Sequence, residues 1–144
     1  MNKKGFSLME IMVVVVIIGI LAAIAIPSYT AYLTRTRRAE AVTALETLAL
    51  QEEKNFAERN SYDTIANLVA RGFQDPNADG NRNYNIQVNP AAGGWQAGFV
   101  ASATGMNAQA GDGIVFAIDN NGNRGTLNAG VVVVNTQMWN TLRQ

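Results

Sequence analysis

The sequence predicts an α+β fold in which one long N-terminal helix packs on an antiparallel sheet of about four strands. Three observations predict it. Residues 11–26 contain nothing polar, and no Gly or Pro follows Pro27 until Gly72. Apolar side chains then recur at helical spacing, and alternating strand-like segments fill the second half of the chain. We expect one helix over about residues 6–57, followed by a small head that contains the sheet.

Composition limits the chemistry that this chain can perform. It has 144 residues, a formal net charge of zero, and neither cysteine nor histidine. These absences remove thiol nucleophiles, histidine-based triads, Cys/His zinc sites and disulfides together. The neutral total gives no whole-chain attraction to nucleic acid or acidic lipid. We therefore expect a protein that is not an enzyme, with no catalytic residues and no cofactor.

The N-terminal region is predicted to cross a membrane. Lys3 and Lys4 precede the apolar run, and 24 uncharged residues separate Glu10 from Arg35. A helix of that length can span a bilayer core of about 30 Å. The basic leader favours a cytoplasmic N-terminus and an exported C-terminal bulk. A secretory signal cut near residues 23–25 and a plain anchor are alternatives, but neither accounts for Glu10, which costs about 2.5–3.5 kcal/mol inside a membrane.

The start of the chain carries a long motif. Residues 4–10 read Lys-Gly-Phe-Ser-Leu-Met-Glu, and residues 25–29 read Ala-Ile-Pro-Ser-Tyr. This pattern resembles the class III leader and first helix of type IV pilins, and the chain is similar to PilE-type members. The resemblance implies cleavage by a prepilin peptidase between Gly5 and Phe6, N-methylation of the new Phe6 amine, and pairing of Glu10 with that amine in a neighbouring subunit. Such pairing makes physical sense, because a buried carboxylate is tolerated only with a partner.

The resemblance also implies a division of the chain. Residues 1–5 are a leader that is removed on maturation, and residues 6–33 form the transmembrane and filament-core half of the helix. Residues 34–57 are its amphipathic half, and residues 58–144 form the globular head. The protein is then expected in the inner membrane as a single-pass protein, in contact with lipid, before assembly, and in an extracellular pilus afterwards.

The implied function is that of a structural subunit of a type IV pilus, which serves adhesion, twitching motility or DNA uptake. Its partners are copies of itself, other pilins and the inner-membrane assembly machinery. Gly19 and Pro27 weaken a helix, so we predict a bend there; the resemblance implies partial unwinding between them. Two alternatives stay open: a minor pilin that binds DNA during uptake, and a type II secretion pseudopilin with a calcium-binding head.

The amphipathic helix and the sheet are read from periodicity. Apolar positions recur at helical spacing before a stop at Asn60-Ser61: Val42, Leu45, Leu48, Ala49 and Phe56. Strand-like patterns occupy residues 84–88, 95–101, 114–118 and 131–134. The last run is fully apolar and is interpreted either as a buried strand or as a subunit contact. Residues 119–123, Asp-Asn-Asn-Gly-Asn, predict a hairpin turn.

The head offers weak ligand signals. Asp75, Asn77 and Asp79 match the first half of a calcium loop, but Ile86 stands where the bidentate Glu is needed, so an ordinary turn is favoured. From residue 56 onward five arginines face six acidic residues, which gives DNA no positive excess. Similar pilins usually close a disulfide near the C-terminus. Without cysteines, we expect hydrogen bonds and packing by Met138 and Trp139 to hold the tail. Trp139 is predicted to be buried, with an exposed contact as the alternative.

Overall fold

A computed structural model describes residues 5–142. Residues 1–4 of the predicted leader and residues 143–144 lie outside that range. The elements are α1 (Leu8–Arg59), α2 (Ile65–Ala70), β1 (Tyr84–Ala91), β2 (Gly94–Gly105), β3 (Val115–Asp119), β4 (Arg124–Asn128), β5 (Val131–Val134) and α3 (Thr136–Thr141). The strands form one antiparallel sheet in the order β1-β2-β3-β4-β5. The predicted α+β class is confirmed.

The long helix α1 agrees with the prediction to within two residues at each end. It ends because Asn60 adopts a positive φ of 56°, a conformation that Asn tolerates better than most residues. Pro27 lies inside the helix, where the Ser28 hydroxyl donates to the Ile24 carbonyl at 3.1 Å. Backbone contacts divide the chain after Arg35, and the two parts are described separately below.

The first part, up to Arg35, consists mainly of the apolar half of α1. Its large apolar side chains between residues 11 and 26 are each 46–66 % exposed, on every side of the helix. Among residues 5–142, α1 is the one helix long and apolar enough to cross a membrane by length and composition. A helix that is apolar all round needs an apolar environment, and residues 5–142 leave this surface exposed.

The second part is the head, in which the later half of α1 packs on the sheet. The inner face of the helix contributes Val42, Leu45 and Leu48, all fully or almost fully buried. They belong to one core with side chains from the sheet and the tail: Ile86, Phe99, Ala101, Ala103, Phe116, Ile118 and Trp139. The helical spacing read from the sequence therefore identified the buried face.

The predicted hairpin after β3 is confirmed. One carboxylate oxygen of Asp119 accepts the backbone N–H groups of Asn121 and Asn123, both at 2.9 Å. Gly122 follows at a φ of 77°, which glycine adopts without a steric penalty. The turn leads directly into β4.

Strand β4 corrects the predicted number of about four strands to five. Its sequence, Arg-Gly-Thr-Leu-Asn, has too little apolar alternation to signal a strand. Gly125 is required there by crowding, because a Cβ at this position would collide with the carbonyl oxygen of Val133. The small residue allows β4 to approach β5 closely.

Strand β5 is not the buried strand that its apolar run suggested. It lies at the edge of the sheet, and only Val132 is buried, while Val131, Val133 and Val134 are exposed. The prediction of a buried strand is therefore wrong, because β5 ends the sheet and has a neighbouring strand, β4, on one side only. Its other interpretation, a subunit contact, stays a prediction.

Candidate assembly site

The predicted processing site lies ahead of α1. Gly5, Phe6 and Ser7 precede the helix, and the side chain of Phe6 is 78 % exposed. The Ser7 carbonyl accepts the backbone N–H groups of Glu10 and Ile11 at 3.0 and 3.2 Å, which starts the helix. Glu10 thus lies in the first turn, where the helix dipole favours a carboxylate.

Gly19 and Pro27 are both exposed within the part of the chain that the structure describes. A Cβ added at Gly19 would meet nothing within 4 Å, and α1 continues through both positions. Gly19 weakens the helix, and Pro27 cannot donate the backbone hydrogen bond of its turn. The predicted bend stays a prediction, and the open surroundings of Gly19 leave room for a neighbouring helix.

The candidate calcium loop is held by its own hydrogen bonds. Asp75 Oδ1 accepts the N–H of Asn77, and Asp79 Oδ1 accepts that of Asn81, both at 2.8 Å. The Asn77 amide bonds both backbone groups of Ile86, at 2.8 and 2.9 Å. No group of three or more His, Cys, Asp or Glu placed to hold a metal occurs in residues 5–142. These side chains therefore act as turn-forming groups here, and calcium binding stays an untested hypothesis.

An ion pair that sequence reasoning missed ties α1 to the loop between β2 and β3. Arg38 Nε donates to Asp112 Oδ2 at 2.9 Å, its Nη2 bonds the other oxygen, and the Tyr84 hydroxyl donates to Oδ2 at 2.7 Å. Hydrogen bonding by Arg38 lowers the pKa of Asp112, whose side chain is only 4 % exposed. Burial, with the Asp112 hydrogen bond, raises the pKa of Tyr84 to about 12. No local pattern signals a pair 74 residues apart in the chain.

Most arginines of the head have intramolecular partners. Arg71 bonds Asp63 and the Asn55 amide oxygen, Arg82 donates to backbone carbonyls, and Arg124 lies 3.8 Å from Glu46. The carboxylates beside Arg71 and Arg124 reduce the positive charge that the head offers to a polyanion, whereas the backbone bonds of Arg82 leave its charge in place.

Glu52 is a buried carboxylate near the end of α1. Its side chain is fully buried, Oε2 accepts the N–H of Asp63 at 3.0 Å, and Oε1 has no partner among the residues described. Burial raises the pKa of Glu52 to about 7, against a lowering contribution from the Asp63 backbone. The charges that face it are those of Glu53 on α1, Asp63 in the following loop, and Arg71 after α2.

Comparison with known proteins agrees with this geometry. Residues 1–26 match the family model of the prokaryotic N-terminal methylation motif. Residues 27–113, more than half of the chain, match the model described as "Type IV minor pilin ComP, DNA uptake sequence receptor". The chain belongs to the type IV pilin family.

Two curated relatives illustrate how far the likeness extends. The pilin is 37 % identical over 90 residues to the type IV major pilin protein PilA of Myxococcus xanthus (strain DK1622). These 90 residues are 62 % of this chain and 39 % of PilA. It is 46 % identical over 68 residues to the type IV major fimbrial protein FimA of Dichelobacter nodosus, 47 % of this chain and 42 % of FimA. The matched region spans about two-fifths of the length of these relatives.

Glu52 gives the pilin head a predictable pH dependence. The folded head retains the Glu52 proton up to a pH near 7, whereas the unfolded chain releases it near 4.5. Stability is therefore full below pH 4.5 and is lost progressively as pH rises through 7, by about 1–3 kcal/mol. We expect Glu52→Gln to remove most of this decline between pH 5 and pH 8.

Urea unfolding of the full chain in detergent micelles, followed by near-UV circular dichroism, measures this effect. Asp63 does not interfere, because its pKa is lowered. Burial raises the pKa, but the hydrogen bonds from Arg71 and Asn67 outweigh that effect. The exposed Glu58→Gln is the matched control and should keep the wild-type pH dependence. An unchanged slope in Glu52→Gln would show that this carboxyl is ionised in the folded head at neutral pH.

Proposed function

We propose that this pilin is a structural, non-catalytic subunit of a type IV pilus. The observation that carries the proposal is the helix surface from residue 11 to residue 26, which is apolar and exposed on every side. Lipid of the inner membrane covers this surface before assembly. In the filament, the helices of other copies and other pilins replace the lipid, and the assembly machinery drives that exchange.

Maturation supplies the group that Glu10 needs. A prepilin peptidase cuts between Gly5 and Phe6, and the new Phe6 amine is methylated and stays positively charged. The match of residues 1–26 to the N-terminal methylation motif supports this step, as does the exposed Phe6 ahead of the helix. The amine of one copy then neutralises Glu10 of its neighbour inside the apolar bundle, where an unpaired charge is costly.

Intact-mass and N-terminal analysis of filaments sheared from cells tests the proposal. We expect the mass of residues 6–144 with one added methyl group, and an N-terminal phenylalanine. Retention of Met1 in the filament fraction would contradict the processing step. Absence of the chain from sheared filaments, with cleaved protein in the membrane, would contradict the role as a filament subunit.

DNA binding during uptake is a second candidate function. It is favoured by the family model over residues 27–113, whose description names a DNA uptake sequence receptor. Because most head arginines have protein partners, such binding would use few phosphate contacts and show a shallow salt dependence. Fluorescence anisotropy of labelled duplex with the full chain in detergent, at several salt concentrations, decides it. Absence of saturable binding at low salt would remove this candidate.

The pseudopilin alternative rests on calcium. A calcium-binding head would gain thermal stability with Ca²⁺, since a ligand that binds only the folded state stabilises it. Equal melting temperatures of the head in calcium and in chelator would leave Asp75, Asn77 and Asp79 as turn residues only.

A further inference from the structure

The outer face of α1 in the head forms a continuous exposed stripe, which we call the outer stripe. Its residues follow one another at spacings of three and four: Thr36, Glu40, Thr43, Thr47, Leu50 and Lys54. Residues at this spacing lie on one side of a helix, and here that side is opposite the buried Val42, Leu45 and Leu48. The side chains of the stripe are thus exposed along its whole length.

The first half of the outer stripe borders a groove. The groove has a volume of about 700 Å³ and lies between residues 36–47 of α1 and residues 73–79 of the following loop. Its lining is largely apolar and includes Ala39, Phe73 and Pro76. The carboxylates of Glu40, Asp75 and Asp79 also line it. An occupant must therefore place a small or apolar group at the base of the groove and a positive charge at the edge of the groove.

The acidic groups of the groove form no ion pair with a cation among residues 5–142. Glu40 is exposed and makes no hydrogen bond or ion pair within residues 5–142. Asp75 and Asp79 each use one oxygen for a backbone N–H of the turn, and Arg82 donates to the Asn77 and Asp79 carbonyls rather than to carboxylates. The groove therefore favours a partner that brings positive charge.

The second half of the outer stripe has the complementary chemistry. Leu50 is 73 % exposed, and Lys54, one turn later, is exposed and has no partner in the part of the chain that the structure describes. The Thr43 and Thr47 hydroxyls between the two halves are already bonded to helix carbonyls, at 2.9 and 2.8 Å. The stripe thus presents acid at one end, a leucine and a lysine at the other, and little unpaired polarity between them.

We propose that the outer stripe binds a second copy of this pilin, shifted along the helix axis. Leu50 and Lys54 of one copy occupy the acidic groove of the other, with Lys54 facing Glu40. These two residues are 14 positions apart, so the shift is about 21 Å at the rise of an α-helix. The inference rests on the proposed filament function, in which copies lie parallel; a shift along the helix axis combined with a half turn about it brings the same helix face of two copies together.

The geometry of a polymer supports a shifted contact rather than a symmetric one. A pair of copies related by a shift leaves a free acidic groove at one end and a free Lys54 at the other, so the contact repeats without closing. The outer stripe also continues the helix whose apolar half the proposed filament core buries. A single contact of this kind buries little surface and is weak on its own. It contributes to the filament because bundled copies are held at a high effective concentration.

Cysteine cross-linking tests the contact directly, because the chain has no cysteine of its own. Two populations of the full chain, one Glu40→Cys and one Lys54→Cys, are expressed together with different epitope tags, and sheared filaments are oxidised. We expect mixed dimers that carry both tags. Either variant alone should give few dimers, because identical positions lie about 21 Å apart in this contact and a disulfide needs Cα atoms within about 7 Å.

The matched control pairs Glu40→Cys with Gln87→Cys, an exposed position on β1 away from the outer stripe, and should give no mixed dimer.

A charge exchange between Glu40 and Lys54 is the second test, and it is measured as filament yield. Glu40→Lys should lower filament yield by roughly tenfold, since like charges meet in the contact, and Glu40→Lys with Lys54→Glu should restore it. Two results would overturn this inference but not the proposed function. One is that Arg37→Glu, rather than Lys54→Glu, restores the filament yield of Glu40→Lys; the other is that filaments form normally without mixed dimers. Loss of filaments from the wild-type chain would instead contradict the proposed function.

Discussion

Glu10→Ala is expected to remove the pilin from sheared filaments while cleaved protein accumulates in the membrane. Residence in the membrane and assembly into the filament respond in opposite directions, because Glu10 is unfavourable in lipid and required in the filament. Loss of an ionisable group favours residence in lipid by about 2.5–3.5 kcal/mol. In the filament the same change leaves a Phe6 amine buried without its partner, which typically costs about 3–5 kcal/mol for each subunit contact. Immunoblots of sheared and membrane fractions measure both effects.

Two further variants separate the charge of Glu10 from its size. Glu10→Gln keeps the shape and loses the ionic partner, so it should behave as Glu10→Ala does. Glu58→Ala changes an exposed carboxylate near the other end of α1 and should leave filament yield unchanged. Wild-type amounts of Glu10→Ala in filaments would show that the Phe6 amine is neutralised by another group.

The features that the sequence predicted well are local. The helix end at Asn60 and the hairpin after Asp119 each depend on a few consecutive residues whose backbone preferences leave few alternatives. The buried face of α1 depends on spacing alone. The motif around Gly5, Phe6 and Glu10 identified the family because it is long, although the roles of these residues stay predictions.

The features that the sequence did not predict depend on distant residues. Arg38 meets Asp112 across 74 residues, and Trp139 meets Glu46 across 93. Strand β4 is stabilised by its neighbours β3 and β5 rather than by its own strand propensity. A glycine in a sequence usually indicates the end of a strand, but Gly125 is required within β4 because β5 leaves no room for a Cβ there. The exposure of β5 likewise follows from its place at the sheet edge, which its four valines do not encode.

The same long-range contacts explain how the tail is held without a disulfide. Trp139 on α3 is fully buried, as predicted, and its ring meets Phe116 edge-on with centroids 6.3 Å apart. Its Nε1 donates to Glu46 Oε1 on α1 at 3.2 Å. The backbone of Asn135 also donates to the Arg124 carbonyl of β4, at 2.9 Å. One side chain thus joins the tail, the sheet and the long helix.

Trp139→Ala should therefore destabilise the head by about 3–5 kcal/mol, the usual cost of deleting a fully buried aromatic side chain. Trp139→Phe keeps most of the apolar contact and loses the N–H bond to Glu46, so it should cost clearly less, about 1–2 kcal/mol. Gln137→Ala, at an exposed position of the same short helix, should stay within about 0.5 kcal/mol of the wild type. Urea unfolding in micelles, with Trp95 as the remaining fluorophore, gives these differences. A loss below about 1 kcal/mol in Trp139→Ala would mean that the tail contributes little to the fold, and that β4 and β5 are held by the sheet alone.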